Sequence, residues 1–211
     1  GIVNRGREQG AQHSQALHAW FAHVPGLRVV MPASVQDARD LLIASVLSDD
    51  PVLYIDDQWL YHREAEIGEV VELDLSAEGA KCIREGDAIT LAAASYSVYL
   101  AEQAAETLAD EGIGCEIVDL RVINPLDCSA VVDSVAKTGR LLAIDAGWSS
   151  CGLAAEIIAA VATAAPVGGW KAQPQRLTLP TSPAPSSRPL EQHYYFGVDE
   201  VVSAVRSVVE A

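Results

Sequence analysis

Cysteine, methionine, aromatic and basic residues are all scarce in this chain of 211 residues. Each scarcity closes off a class of protein. The four cysteines, Cys82, Cys115, Cys128 and Cys151, lie far apart, and none forms a C-x-x-C pair. Zinc sites want closer spacing. Cys115 sits in an apolar run, so a reduced, cytoplasmic chain is the simplest reading. Lys and Arg number 14 against 29 Asp and Glu, giving a net charge of -15, and the cations form no stripe. Binding to a phosphate backbone needs clustered cations, which excludes nucleic acid. An acidic body suits solubility and steering toward basic partners. No apolar run reaches the length of a membrane span, and no signal peptide is legible, so no membrane is expected. The only Met is the internal Met31 and the first residue is Gly1, so the chain reads as a processed, excised or tagged piece. There is no P-loop and no nucleophile elbow.

What the chain does have is a hydrophobic half, rich in alanine, which suits helices packed on a sheet. It is enough for one large domain or two small ones. Ile2-Val3-Asn4 reads as a strand remnant and Arg5 to Gln12 as a glycine-containing loop. Ser14 is placed as the N-cap of a helix. Its Leu17, Trp20, Phe21 and Val24 recur at i, i+3, i+4 and i+7, one face toward the core. Pro25-Gly26 stops it, and Leu27 to Met31 is a short strand. Ser34 caps the next helix, with Asp37 three residues on and Val35, Ala38, Leu42 and Val46 as its buried face. Val52 to Ile55 follows as a strand. The order strand, helix, strand predicts a parallel sheet, here an unfinished one.

From Asp56 to Gly86 periodicity fades and acidic residues accumulate, so this stretch reads as a linker lying on a surface. A second domain starts near Asp87. Strands are expected at 88–93, 115–120, 141–144 and 175–179. Helices are expected around 100–108, closed by Gly112, and 131–135, closed by Gly139. Two more are expected from Leu153 to Ala165 and from Val198 to Val209. The fold class is α/β, an open sheet with helices on both faces. The ranges are 1–57 for a partial first domain, 58–86 for the linker and 87–211 for the second domain.

His13 is the first chemical candidate. Placed before a helix N-terminus, its imidazole feels a positive potential that favours the neutral form. It also follows a loop at a sheet edge, where ligands collect in such folds. A histidine that only buttresses the loop is the competing interpretation. His13, His18 and His23 fail as a metal set, because five residues turn a helix by about 140° and the rings diverge. Gly86-Asp87-Ala88 resembles the start of a diphosphate-binding Gly-Asp-Gly sequence without its third glycine, and is better read as the turn that opens a strand. Gly147 to Gly152 opens a helix and could bind an anion through its backbone N–H groups. His193, Tyr194, Tyr195 and Phe196 either form an interface or fold back on the sheet. No residue is assigned to a metal or directly to a cofactor.

Several segments resemble the beta subunit of thiamin-diphosphate-dependent 2-oxoacid dehydrogenases, of the pyruvate and branched-chain type. They are Gln12-His13-Ser14-Gln15, Ala19 to Leu27, Val29-Val30-Met31-Pro32, Asp50-Pro51-Val52, Cys115 to Arg121, Asn124 to Asp127 and Lys137 to Arg140. The resemblance implies the latter part of a pyrimidine-binding domain over 1–57 and a transketolase C-terminal-like domain over 87–211. It implies thiamin diphosphate and magnesium, shared with an alpha-type thiamin-binding subunit that holds the diphosphate. It makes His13 the active-site histidine beside the thiazolium, with Gln12, Ser14 and Gln15 fixing the substrate loop. The family's cofactor-activating glutamate would stand before Gly1, so another segment or chain must supply the missing half of that domain. Further partners implied are a second beta subunit and an acyltransferase core or acyl carrier protein. Ser45 to Asp50 is similar to part of a potassium site, for which no ion is assigned.

Two segments depart from the family pattern: Asp145-Ala146-Gly147, and Thr181 to Ser186, which keeps two prolines without the usual flanking residues. The implied reaction is decarboxylation of a 2-oxo acid, or cleavage of a ketose, with transfer to a lipoyl or carrier-protein arm. The alternative is a non-catalytic assembly module that docks a basic partner domain through its acidic C-terminal domain. A free-standing flavodoxin-like binding domain over 87–211 is a third reading.

Overall fold

The computed structural model describes residues 1–3, 5–164 and 169–211. The N-terminal unit contains β1 (Ile2–Val3), α1 (Gly10–His13), α2 (His18–Ala22), β2 (Arg28–Val30), α3 (Val35–Leu47), β3 (Val52–Tyr54) and β4 (Asp56–Asp57). β2 and β3 pair in parallel, with Val29 opposite Leu53, as the strand-helix-strand order predicts. β1 runs parallel to β4. A 3-10 turn, Gln58–Leu60, follows β4.

The remaining elements are β5 (Lys81–Arg84), β6 (Ile89–Ala93), α4 (Tyr96–Ala109), β7 (Cys115–Asp119), β8 (Val122–Asn124), α5 (Ser129–Thr138), β9 (Leu141–Trp148), α6 (Leu153–Ala164), β10 (Gln175–Leu179), α7 (Arg188–Glu191) and α8 (Val198–Val209). The main sheet has the order β10-β9-β6-β7-β5. Only β5 is antiparallel in it. β6 and β7 are buried throughout, as near-continuous apolar strands covered on both faces must be. α4 and α8 pack on one face and α5 and α6 on the other. β5 shows that the sheet starts inside the stretch whose sequence reads as a linker.

The two units share a sheet. β8 leaves the second unit and pairs antiparallel with β2, giving the order β3-β2-β8. Asn124 closes the join by donating from Nδ2 to the Val24 carbonyl at 3.0 Å. β8 therefore adds a strand to the sheet that looked unfinished.

Three local expectations change. Ser14 is no N-cap: it follows α1 as its C-cap residue, and α2 starts only at His18. The Trp20 face of α2 points outward, with Trp20 70% exposed and Phe21 and Val24 also exposed. α3 buries Leu41 and Ala44 and leaves Leu42 and Val46 exposed. An apolar stripe reveals a face that wants burial, not which neighbour covers it. Ser34 does cap α3, its Oγ accepting from the Asp37 N–H at 3.0 Å. Gly139 ends α5 as expected, in the left-handed conformation (φ 73°) that glycine adopts without steric cost.

Asp119 ends β7 and is almost fully buried. Burial pushes its carboxyl up to about 8; Asp37 and Glu102 add to the rise, and the Arg121 N–H and Lys81 oppose it. The folded chain thus keeps a proton that the unfolded chain releases near the usual value of 3.8. Stability attributable to Asp119 therefore falls as pH rises from about 4 to about 8 and is level above that. Asp119→Asn keeps the acceptor and cannot ionise. At pH near 8 it should be more stable than the native chain by at least about 1.4 kcal/mol, the worth of one pKa unit. The gain should vanish near pH 4, as urea unfolding at both pH values will show.

Candidate active site

The loop between β1 and α2 carries the first-ranked residues. Gly6, Arg7, Glu8 and Gly10 all have left-handed backbones, with φ between 60° and 73°. Glycine bears this freely, whereas Arg7 and Glu8 each cost on the order of 1–2 kcal/mol. A side chain at either glycine would also crowd its neighbour. A Cβ on Gly6 would lie 3.1 Å from the Trp59 ring, and one on Gly10 would lie 3.2 Å from Ser186 Cβ.

External anchors hold the loop in this shape. Arg5 is buried, and its Nε and Nη2 approach Asp57 Oδ2 at 2.7 and 2.6 Å. Its Nη1 donates to the Ala146 carbonyl at 3.3 Å. The Arg5 carbonyl accepts from Trp59 Nε1 at 2.7 Å. The Glu8 N–H donates to the Glu191 carboxylate at 3.0 Å. A cavity of about 10 Å³ remains among Arg5, Trp59, Tyr96 and Tyr195, room for at most one water.

α1 then presents Gln12 and His13 to solvent. The helix potential expected at His13 does not apply, because the residue closes a four-residue helix instead of preceding one. Ser14 is buried, and its Oγ faces the Tyr195 hydroxyl without completing a hydrogen bond. Gln15 is exposed and donates from Nε2 to the Ala11 carbonyl at 2.7 Å, tightening the turn. His13, Gln12, Ser14 and Gln15 thus share one loop on the seam of the two units, with His13 the exposed titratable group.

His18 and Asp145 are the pair that the sequence did not pick out. Both are buried, and His18 Nε2 lies 2.9 Å from Asp145 Oδ1. Asp145 also accepts from the Gly147 N–H at 2.7 Å and from the Ala154 N–H at 3.1 Å. Burial works to raise the Asp145 carboxyl; His18 and these two N–H groups outweigh it and hold the carboxyl below its ordinary value. Asp145 is therefore an internal anion at the start of α6. One N–H of the 147–152 loop, that of Gly147, and one of the first turn of α6, that of Ala154, are spent on it, so an internal carboxylate occupies the place expected for an external anion. A histidine inside an apolar helix face and an acid directly after the apolar run Leu141 to Ile144 were the available signals. Nothing in their spacing pairs them.

The other candidates resolve simply. His13 and His23 are exposed while His18 is buried, so the three do not converge. Gly86 opens β6 with its Cβ position 2.3 Å from the Cys115 backbone, a tight turn with no room for a phosphate. Cys82, Glu85 and Glu116 bring donor atoms within 4.8 Å of one another. There the Lys137 ammonium already bonds both carboxylates. Tyr194 is buried and stacks edge-on against Tyr195, so the 193–196 aromatics fold back on their own chain. An open groove of about 1160 Å³ runs beside α2, walled by Trp20, His23, Pro125, Trp148, Cys151 and Glu156. Among the described residues no helix is long and apolar enough to cross a membrane.

Comparison with known proteins agrees with this architecture. The chain is 37% identical over 209 residues to the acetoin:2,6-dichlorophenolindophenol oxidoreductase subunit beta of Cupriavidus necator, covering 99% of this chain and 61% of the relative. It is 42% identical over 151 residues to the pyruvate dehydrogenase E1 component subunit beta of Rickettsia bellii, covering 72% and 46%. With the mitochondrial subunit of Ascaris suum it shares 38% over 198 residues, covering 90% and 55%. The chain thus spans about half to three fifths of these relatives' length. A solved split-gene transketolase, described as an inactive beta4 tetramer, superposes with a TM-score of 0.78 at 21% identity, covering 100% of this chain and 66% of that one. A transketolase mutant from Pichia stipitis gives 0.67 at 16%, covering 100% and 29%. These two show the fold. Residues 78–201 match the transketolase C-terminal domain, and the chain belongs to that family.

Proposed function

We propose that this chain is the C-terminal part of the beta subunit of a thiamin-diphosphate-dependent 2-oxoacid dehydrogenase, active only with an alpha-type partner. The observation that carries the proposal is the His13 loop. A strained segment, anchored by both units, holds an exposed imidazole at their seam, in a chain whose relatives are E1-type beta subunits. Strain of that kind persists only where the surroundings impose it, and it clusters at functional sites.

Neither anion seat offered by the sequence suits the diphosphate. The Gly86 turn is closed by backbone, and the N-terminus of α6 is satisfied by Asp145. In this proposal a partner chain holds the diphosphate and its magnesium. Thiamin diphosphate, when bound, supplies the electron sink for carbanion chemistry. His13 supplies a proton or a hydrogen bond at an exposed ring nitrogen, with Gln12 beside it and Ser14 and Gln15 shaping the turn. The relatives are named for acetoin and for pyruvate, so a small 2-oxo acid or a hydroxyketone is the substrate class favoured. The acceptor is a lipoyl or carrier-protein arm. Trp20, Phe21 and Val24, exposed beside the groove, suit a subunit contact, with the alpha-type partner or a second beta subunit as the occupant. A further segment completes the first domain. The four free cysteines suit a reducing, cytoplasmic setting.

The test is reconstitution. The chain is co-produced with an alpha-type subunit and the front segment of the beta subunit, and intact mass and calorimetry measure bound thiamin diphosphate. Binding by the full assembly, lost when this chain is omitted, is the expected result. An assembly that forms but never takes up thiamin diphosphate would favour the assembly-module reading instead.

A further inference from the structure

The loop that carries His13 begins and ends on one place in the other unit. At its start Arg5 Nη1 donates to the Ala146 carbonyl at 3.3 Å. At its end His18 Nε2 meets Asp145 Oδ1 at 2.9 Å. Asp145 and Ala146 are consecutive in β9, at a bulge: β10 pairs Thr178 with Asp145 and then Leu179 with Trp148. Ala146 and Gly147 are thereby released from the ladder. Such bulges redirect strand groups at functional sites. Here the bulge turns one carbonyl toward Arg5 and one N–H toward the Asp145 carboxylate.

The surroundings are shaped around the His18 ring. A Cβ on Gly147 would lie 3.1 Å from His18 Cε1 and 3.0 Å from Asp145 Oδ1, so the glycine leaves the ring its place. A Cβ on Gly152 would lie 3.1 Å from Asp145 Oδ2 and 2.1 Å from the Trp148 carbonyl. The carboxylate is held from both sides by N–H groups of its own unit. His18 is 3% exposed, and its Nδ1 has no hydrogen-bond partner. A buried imidazole with a single polar contact, made to the other unit, contributes chiefly that contact.

We propose that His18 is a positioning residue: with Asp145 it latches the far end of the 6–17 loop onto β9, while Arg5 fixes the near end, and together they set where His13 points. The loop needs such a latch. Its left-handed residues oppose closure, and the Glu8 anchor on Glu191 and the Gln15 contact with Ala11 both lie ahead of its far end, where His18 meets Asp145. The bearing of the latch on turnover rests on the proposed function; the latch itself does not.

Trypsin reads the latch on the full chain without any assay of activity. Arg7 lies exposed inside the loop, and cutting after it requires local opening. Arg84, in β5, reports opening of the main sheet. Phe at position 18 fills the ring's space without an N–H, whereas Gln keeps a donor close to the Nε2 position. In His18→Phe, cleavage after Arg7 should speed up about tenfold while cleavage after Arg84 keeps its native rate. His18→Gln should stay within about twofold of the native chain at both sites. Arg206→Ala, which removes an exposed ion pair with Glu111, should change neither. If His18→Phe does not fold, His18→Ala takes its place in the comparison. Equal cleavage after Arg7 in the Gln variant and the donor-less variant overturns the latch. A confirmed latch alongside unchanged thiamin chemistry in His13→Ala would sink only the catalytic role.

Discussion

His13→Ala, built into the reconstituted assembly, should fold like the native chain and lose about 100- to 10,000-fold in kcat, the usual contribution of a positioned acid or base. The two halves of that result have separate causes. The imidazole is exposed and makes no hydrogen bond or ion pair among the described residues. Its removal therefore takes away no packing and leaves no orphaned partner, and stability should stay within about 0.5 kcal/mol. Turnover depends on the same nitrogen atoms that structure leaves free. Steady-state kinetics beside a thermal melt measures both. A native melt with native kcat would remove His13 from the chemistry. A native melt with kcat intact and KM raised would make it a binding group instead.

Asp57→Ala should destabilise the chain by about 3–5 kcal/mol, the cost of leaving a buried charge without its partner. Asp57 is fully buried, and Arg5 spends two donors on its Oδ2. Its Oδ1 also accepts from the Trp59 N–H at 3.0 Å, so the same substitution uncaps the turn after β4. A domain holds only about 5–15 kcal/mol in all, so the urea midpoint should fall by about 1–2 M. Asp57→Asn should lose less, because an amide oxygen still accepts from Arg5. Midpoints equal to native in both variants would mean that the pair holds nothing.

These two residues differ in how legible they were. His13 stood out because a histidine in a glycine-flanked loop before an amphipathic run is a local pattern, and its neighbours matched a family. The resemblance also identified the transketolase C-terminal fold, which matches residues 78–201. The reasoning that made His13 neutral failed, because it rested on a cap at Ser14 that the backbone does not form. Asp57 and Arg5 lie 52 positions apart, and His18 and Asp145 lie 127 apart. No period or spacing links such residues. The misread faces of α2 and α3 have the same origin. Leu42 and Val46 do recur at helical spacing, but the sheet beneath α3 takes Leu41 and Ala44.

By itself the sequence determined the order of the strands β6, β7, β9 and β10 and of the long helices α4, α5, α6 and α8, the stops at Gly112 and Gly139, and the parallel pairing of β2 with β3. Those properties depend on neighbours along the chain: side-chain period and backbone freedom. Only the tertiary structure decided that β8 would extend the first sheet, that Asp145 would fill the start of α6, and that Arg5 and His18 would close the His13 loop on adjacent residues. Those contacts join groups far apart in sequence, and they gain their strength from burial, which exists only once the units have packed.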